Sequence, residues 1–248
     1  MYNIIYMKNN IIIYCLIIII IILIIILTQN KENFESNSIN RLNTIHKQLK
    51  IDYGSFEDEY PEQLMVATYL KGTEKVLEIG GNIGRNSLII GYILSQYNNN
   101  FVSLESDTDI SKQLIHNRDL NKMTFYIENS ALSKRKLIQK GWDTIVSDDI
   151  LEGYKSVNII NFQELEKKYN ITFDTLVLDC EGAFYYILMD MPEILNNINL
   201  ILMENDYNDI MHKNYINDIL KQQNFKIDYT MGGGWGPCKD FFFEVWKK

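Results

Sequence analysis

The spacing of apolar and polar positions changes several times along the chain, and each change marks an element. The first segment does not alternate at all. Ile11 to Leu27 is a run of 17 apolar residues, IIIYCLIIIIIILIIIL, closed by Asn9 and Asn10 on one side and Thr28 and Gln29 on the other. That length lies at the lower edge of what crosses a bilayer as a helix. It is long for a secretory leader, and the LTQNKENF that follows offers no small-residue cleavage pattern, so residues 11–27 are expected to be an uncleaved membrane anchor behind a tail at 1–10. Lys8 stands on one side of the run and Lys31, Arg41 and Lys47 on the other, so the basic residues do not choose an orientation. Residues 28–55 are polar without a sustained apolar period and are expected to form a stem, leaving a folded unit over 56–248.

Within that unit, EDEYPEQLMVATYLK carries acids ahead of Pro61 and sets Leu64, Ala67, Thr68 and Lys71 at helical spacing. The pattern then alternates. Strands are expected at Lys75–Ile79, Phe101–Leu104, Thr124–Ile127, Asp174–Leu178 and Leu200–Met203. Helices are expected at Arg85–Gln96, at Thr108–Leu120, from Ala183, and across Ile210, Ile216, Ile219 and Leu220. Strand and helix in turn is the signature of right-handed βαβ units, hence an α/β fold with a parallel sheet. Phe225–Thr230 and Asp240–Trp246 are joined by MGGGWGPCK, too short for a crossover helix, so they should pair antiparallel. Lys134 to Thr172 is longer than an ordinary connection and should hold a small β element and the helix FQELEKKY.

Composition narrows the function classes. With 39 isoleucines and 3 prolines the chain shows a bias typical of AT-rich coding, so isoleucine abundance is no argument for function. The formal charge is −8; one Lys and no acid in residues 1–27 leave −9 for the rest. Such a surface repels phosphate backbones, and no basic stripe relieves it, so nucleic acid is not expected as a partner. The KRK run at 134–136 fits a solvated loop. Cys15, Cys180 and Cys238 match neither zinc-ligand spacing nor a disulfide framework, and Asn170-Ile171-Thr172 is a glycosylation triplet of a kind expected by chance in so Asn-rich a chain.

The candidate chemistry begins at VLEIGGNIG, residues 76–84, where the first strand breaks into Gly80, Gly81 and Gly84. In an open parallel sheet ligands sit beyond the carboxyl ends of the strands, and glycines there let backbone approach a ligand that a Cβ would push away. A dinucleotide fingerprint fails at Asn82 and Arg85, and no G-K-S/T follows for a phosphate loop. An NAD-dependent oxidoreductase is therefore disfavoured. What remains is a glycine loop preceded by Glu78 and followed by Glu105, which closes the second strand 25 residues after Gly80. An acid there can accept from both hydroxyls of a ribose, which suits S-adenosylmethionine, a nucleoside without phosphate.

These residues also carry a family resemblance. VLEIGGNIGRNSL, FVSLES, NSALS at 129–133, VNIINFQELEKKY and, above all, TLVLDCEGAFYYIL at 175–188 resemble the FkbM-type methyltransferases over about Glu59 to Glu204. The resemblance implies a Rossmann-like seven-stranded methyltransferase sheet, mostly parallel with its last strand antiparallel, S-adenosylmethionine as cofactor, and O-methylation of a sugar or other small-molecule or glycan hydroxyl. Glu78 stands where many members have Asp, and Phe184 where relatives often carry a second acid. On this reading Glu78, Gly80, Gly81, Asn82, Gly84, Glu105 and Ser106 bind the cofactor.

Methyl transfer from a sulfonium is an in-line displacement, so the protein must align the acceptor hydroxyl and take up its proton. Asp179 and Glu181 at the end of the fourth strand, and Glu204 at the end of the fifth, are the catalytic candidates; Asp206 faces the same crevice, unless it caps the helix that follows. Four carboxylates near one cleft would also suit a divalent cation, although no metal ligand is assigned. His46, His116 and His212 are expected at the surface, Met189, Met191 and Met203 in the core, and Trp142 and Trp235 either in an acceptor pocket or in ordinary packing. The rival reading is a methyltransferase-like, membrane-anchored binding module without activity; the retained Glu78, Glu105, Asp179 and Glu181 favour the enzyme.

Overall fold

The computed structural model describes residues 2–207 and 209–248, and side chains at 17–26, 28–29, 35–97, 99–207 and 209–248. The helices are α1 (Tyr2–His46), α2 (Tyr60–Tyr69), α3 (Arg85–Ile93), α4 (Thr108–Leu120), α5 (Phe162–Tyr169), α6 (Ala183–Asp190) and α7 (Ile210–Gln222). The strands are β1 (Val76–Ile79), β2 (Phe101–Leu104), β3 (Tyr126–Glu128), β4 (Ala131–Leu132), β5 (Leu137–Lys140), β6 (Asp143–Val146), β7 (Lys155–Val157), β8 (Ile159–Ile160), β9 (Thr175–Asp179), β10 (Leu200–Glu204), β11 (Lys226–Met231) and β12 (Phe243–Lys247).

One seven-stranded sheet runs in the order β11-β12-β10-β9-β1-β2-β3. All neighbours are parallel except at β12, which runs antiparallel to both β10 and β11. The strands read as apolar runs because both faces are covered, as parallel sheets require. Leu77, Ile79, Leu176, Leu178, Ile201 and Met203 pack with α5, α6 and α7 on one face. Val76, Phe101, Val177, Leu202 and Val245 pack with α1, α2 and α3 on the other. The expected antiparallel pairing of the last two strands is present, and β12 also inserts between β11 and β10. The 134–172 connection holds more β structure than one small element: β4 pairs with β8, and β5 pairs with β6 and β7.

The stem expected over residues 28–55 is helical through His46, and the end of that helix belongs to the folded unit. Leu42 and Ile45 are buried, and the Arg41 guanidinium donates to the carbonyls of Ala67 and Leu70 at 2.6 and 2.8 Å. A stretch with so few apolar positions still docks because those few share a helical face and one cation caps the end of α2. Of the expected anchor, Ile17 to Ile26 are helical and exposed, while the side chains of residues 11–16 and 27 lie outside the described residues. Among the described residues no helix is long and apolar enough to cross a membrane.

Other differences are local. The third helix stops at Ile93 rather than Gln96, where a turn follows. Met189 is exposed while Met191 and Met203 are buried. His46 is half-buried, 2.7 Å from Gln63 Oε1 and stacked on Phe56, whereas His116 is exposed beside Asp52.

Candidate functional site

The carboxyl ends of β10, β9, β1 and β2 lie side by side, and the residues after them converge on one edge of the sheet. The loop after β1 is held tightly there. Gly80 and Gly81 both donate to the Leu104 carbonyl of β2, at 3.0 and 2.8 Å. Gly80 has φ +92°, and a Cβ on it would lie 1.6 Å from the Asp179 carbonyl oxygen, so only glycine fits. Asn82 is also left-handed, at φ +46°, and its side chain donates to Glu59 Oε1 at 3.1 Å. Gly84 begins α3.

Glu105 closes this loop from the β2 side. Its Oε2 accepts from the Asn82 N–H at 2.9 Å and its Oε1 from the Asp107 N–H at 2.7 Å. Burial raises its pKa against the pull of those two donors. A carboxylate offers about four lone-pair sites, so acceptor capacity remains on Glu105. Ser106 next to it meets Gln139 Oε1 of β5 at 3.2 Å, and Asn129 Nδ2 donates to the Glu105 carbonyl at 2.8 Å.

Glu78 lies under the loop. It is 2% exposed, and its Oε2 accepts from Ser103 Oγ at 2.5 Å and from Ser87 Oγ. Burial pushes its pKa up to about 7, against those two hydroxyls. Glu78 therefore braces β1 against β2 and α3.

A second group of acids gathers beyond β9 and β10. Asp179 and Glu204 are register partners, neighbours across the ladder at about 4.8 Å between strands. Glu181 is exposed and left-handed at φ +51°. Asp206 is 7% exposed with both carboxylate oxygens buried and unbonded, and Glu62 of α2 is 6% exposed with its Oε2 in the same condition. Burial, then the charges of Glu59 and Glu62, hold the Asp179 carboxyl well above its usual range. Burial and then Glu181 push Asp206 up to about 7, and burial followed by contact with Glu62 raises Glu204. Neither Asp179 nor Asp206 caps a helix: α6 begins at Gly182 without a side-chain cap, and α7 is capped by Asp209, which accepts from the Met211 N–H at 2.9 Å.

Among the described residues no ion pair reaches Glu62, Asp179, Glu181, Glu204 or Asp206. No group of three or more His, Cys, Asp or Glu among them is disposed to hold a metal ion. Trp142 and Trp235 are each more than half exposed, at 64% and 56%. His212, expected at the surface, is half-buried with its ring stacked 3.8 Å from Tyr185, in the first turns of α7 and α6.

Glu62 and Glu59 were not among the sequence candidates. Their signal was present in EDEYPEQ, but acids ahead of a helix ordinarily complement its dipole. Only the packing of α2 against β10 and β12 carries Glu62 to the strand ends.

No family model and no curated protein matches the chain. Solved structures do share its course. A ribosomal protein L11 methylase from Lactobacillus delbrueckii subsp. bulgaricus is 11% identical, over 80% of this chain and 82% of that one, with a TM-score of 0.49. A protein in the NADB-Rossmann superfamily from Streptococcus agalactiae is 12% identical over 75% and 67%, with a TM-score of 0.45. A methyltransferase from Pyrococcus furiosus is 14% identical over 86% and 96%, with a TM-score of 0.43. These likenesses concern the path of the chain and carry no assignment of activity.

Proposed function

We propose that this chain is an S-adenosylmethionine-dependent methyltransferase that methylates a hydroxyl of a sugar or other small-molecule or glycan acceptor. The observation that carries the reading is Glu105: a buried carboxylate at the end of β2, tied to the glycine loop through Asn82, with spare acceptor capacity for the hydroxyls of a ribose. The loop residues fit the cofactor for a further reason. Gly80 and Gly81 lie so close to the Asp179 carbonyl and the Ser103 hydroxyl that a Cβ would collide, which holds the loop backbone against the strand ends. Glu78 serves as the brace beneath rather than as a direct ligand.

Bound there, S-adenosylmethionine supplies an electrophilic methyl group on a sulfonium. The chain's own part is to hold the acceptor in line and to take up its proton. Asp179 and Glu204 stand side by side at the ends of β9 and β10, and burial, then the charges of Glu59 and Glu62, raise the proton affinity of Asp179. Glu181, exposed at the mouth, orients the acceptor. The hydroxyl acceptor class comes from the FkbM-type resemblance of the D-x-E-G segment, and the anchor at residues 11–27 is proposed from its apolar run.

Isothermal titration of the full chain with S-adenosylmethionine and with S-adenosylhomocysteine tests this reading. Micromolar or tighter binding of either, about −8 kcal/mol, supports it. No heat from either at millimolar ligand would sink it.

A further inference from the structure

The acids beyond β9 and β10 are more numerous than proton transfer needs. Other buried carboxylates meet a cation or hydrogen-bond donors: Glu244 meets Lys213, Glu128 meets Lys168, Glu78 two serine hydroxyls and Glu105 two backbone N–H groups. Glu62, Asp179, Glu204 and Asp206 share one space and meet no cation among the described residues. Glu62 and Asp206 are more than nine-tenths buried, and the carboxylates they approach are Glu204 in one case and Glu181 and Glu204 in the other. Glu62 Oε2 and both oxygens of Asp206 meet no N–H or hydroxyl donor among the described residues, only other carboxyl groups. Buried acceptors left in that state are costly unless something arrives to satisfy them.

We propose that Glu62, Asp179, Glu204 and Asp206 form a subsite for an organic cation, and that the acceptor carries a positively charged nitrogen which docks there. That the occupant is the acceptor rests on the methyltransferase reading; the subsite does not.

An ammonium group suits these acids better than a metal ion does. It brings three donors that separate carboxylates can share at ordinary hydrogen-bond distances, whereas a divalent metal needs several oxygens converging on one point. The described acids are not disposed for the latter.

The test is titration of the full chain with n-butylammonium chloride, n-butanol and magnesium chloride, each with and without S-adenosylmethionine. The expected result is n-butylammonium binding at about millimolar strength, n-butanol at least about tenfold weaker, and cofactor and ammonium bound together. Glu204→Gln and Asp206→Asn should each weaken the ammonium about tenfold or more, with circular dichroism confirming the fold. If one of these variants does not fold, Glu62→Gln reads the same loss. Equal binding of butanol and butylammonium would overturn the subsite. So would magnesium displacing the ammonium at equal concentration, which would make these acids a metal site. Mutual exclusion of ammonium and S-adenosylmethionine would give the acids to the cofactor's own positive charge and overturn the acceptor assignment. Ammonium binding in a chain that ignores S-adenosylmethionine would support the subsite and overturn the methyltransferase reading.

Discussion

Glu105→Ala should damage the protein twice, by amounts that two instruments can separate. In the folded chain the carboxylate holds the Asn82 and Asp107 N–H groups at 2.9 and 2.7 Å. Losing both bonds to a charged acceptor costs about 1.5–3 kcal/mol each, and water entering the space left by the side chain pulls the sum toward the lower end, about 3 kcal/mol. For a chain of this size each kcal/mol lowers the melting temperature by about 2–4 °C, so a fall of about 6–12 °C is expected. The second loss is in affinity. If the remaining lone pairs accept from a ribose, removing them costs about 3 kcal/mol more, which is about a hundredfold in dissociation constant. Thermal melts give the first number and titration with S-adenosylhomocysteine, below the lowered melting temperature, gives the second. Glu105→Gln should fall between, because its amide keeps one acceptor and turns an NH2 toward the other N–H. A variant that melts early but binds with wild-type affinity would show that Glu105 only braces the loop, and the ribose assignment would be refuted.

Asp179→Asn keeps shape and removes charge, so turnover should drop by about 10² or more with cofactor affinity little changed; a collapse in affinity would make Asp179 a cofactor ligand instead. Gly80→Ala should cost about 4 kcal/mol or more or prevent folding, since its Cβ would meet the Asp179 carbonyl at 1.6 Å. Gly141→Ala, with φ +59° and nothing within 4 Å, should cost only about 1–2 kcal/mol; urea titration of both variants measures the two losses, and comparable values would contradict the steric argument. Glu78 is raised from 4.5 to about 7, so between those values the folded chain binds more protons than the unfolded one. Its contribution is full below the unfolded pKa and lost as pH rises toward 7. Urea midpoints should thus fall between about pH 5 and pH 7.5, and Glu78→Gln should flatten that slope; an unaltered slope would clear Glu78 of the effect. Alkaline carbonate should leave the full chain in the membrane fraction, and its recovery in the wash would rule out the anchor.

The sheet was legible in the sequence because its central strands are covered on both faces and read as apolar runs between helical segments. The glycine loop was legible because its failure to match phosphate and dinucleotide spacings left few alternatives. Glu78 shows where the reading ran out. Strand alternation puts it on the face of Val76, toward α3, yet only the fold brings Ser87 and Ser103 to it from separate elements. Glu62 was hidden for the converse reason: locally it looks like any acid in a helix's first turn, and its neighbours come from β10. The end of α1 was masked by polar composition, since Leu42 and Ile45 are too few to mark a period across 28–55. The insertion of β12 could not be read at all, because strand order within a sheet is set by side-chain packing rather than by connection length.

That insertion governs the order in which the sheet can be completed during synthesis. β12 is made after β10 and β11 but lies between them, so until residues 243–247 have emerged from the ribosome β10 shows an open edge and β11 has no strand to join. Val245 and Trp246, both buried, arrive with the same few residues. A nascent chain stalled before them would therefore carry an unpaired parallel edge and two unfilled places in its core, the kind of exposed surface that chaperones hold until translation moves on.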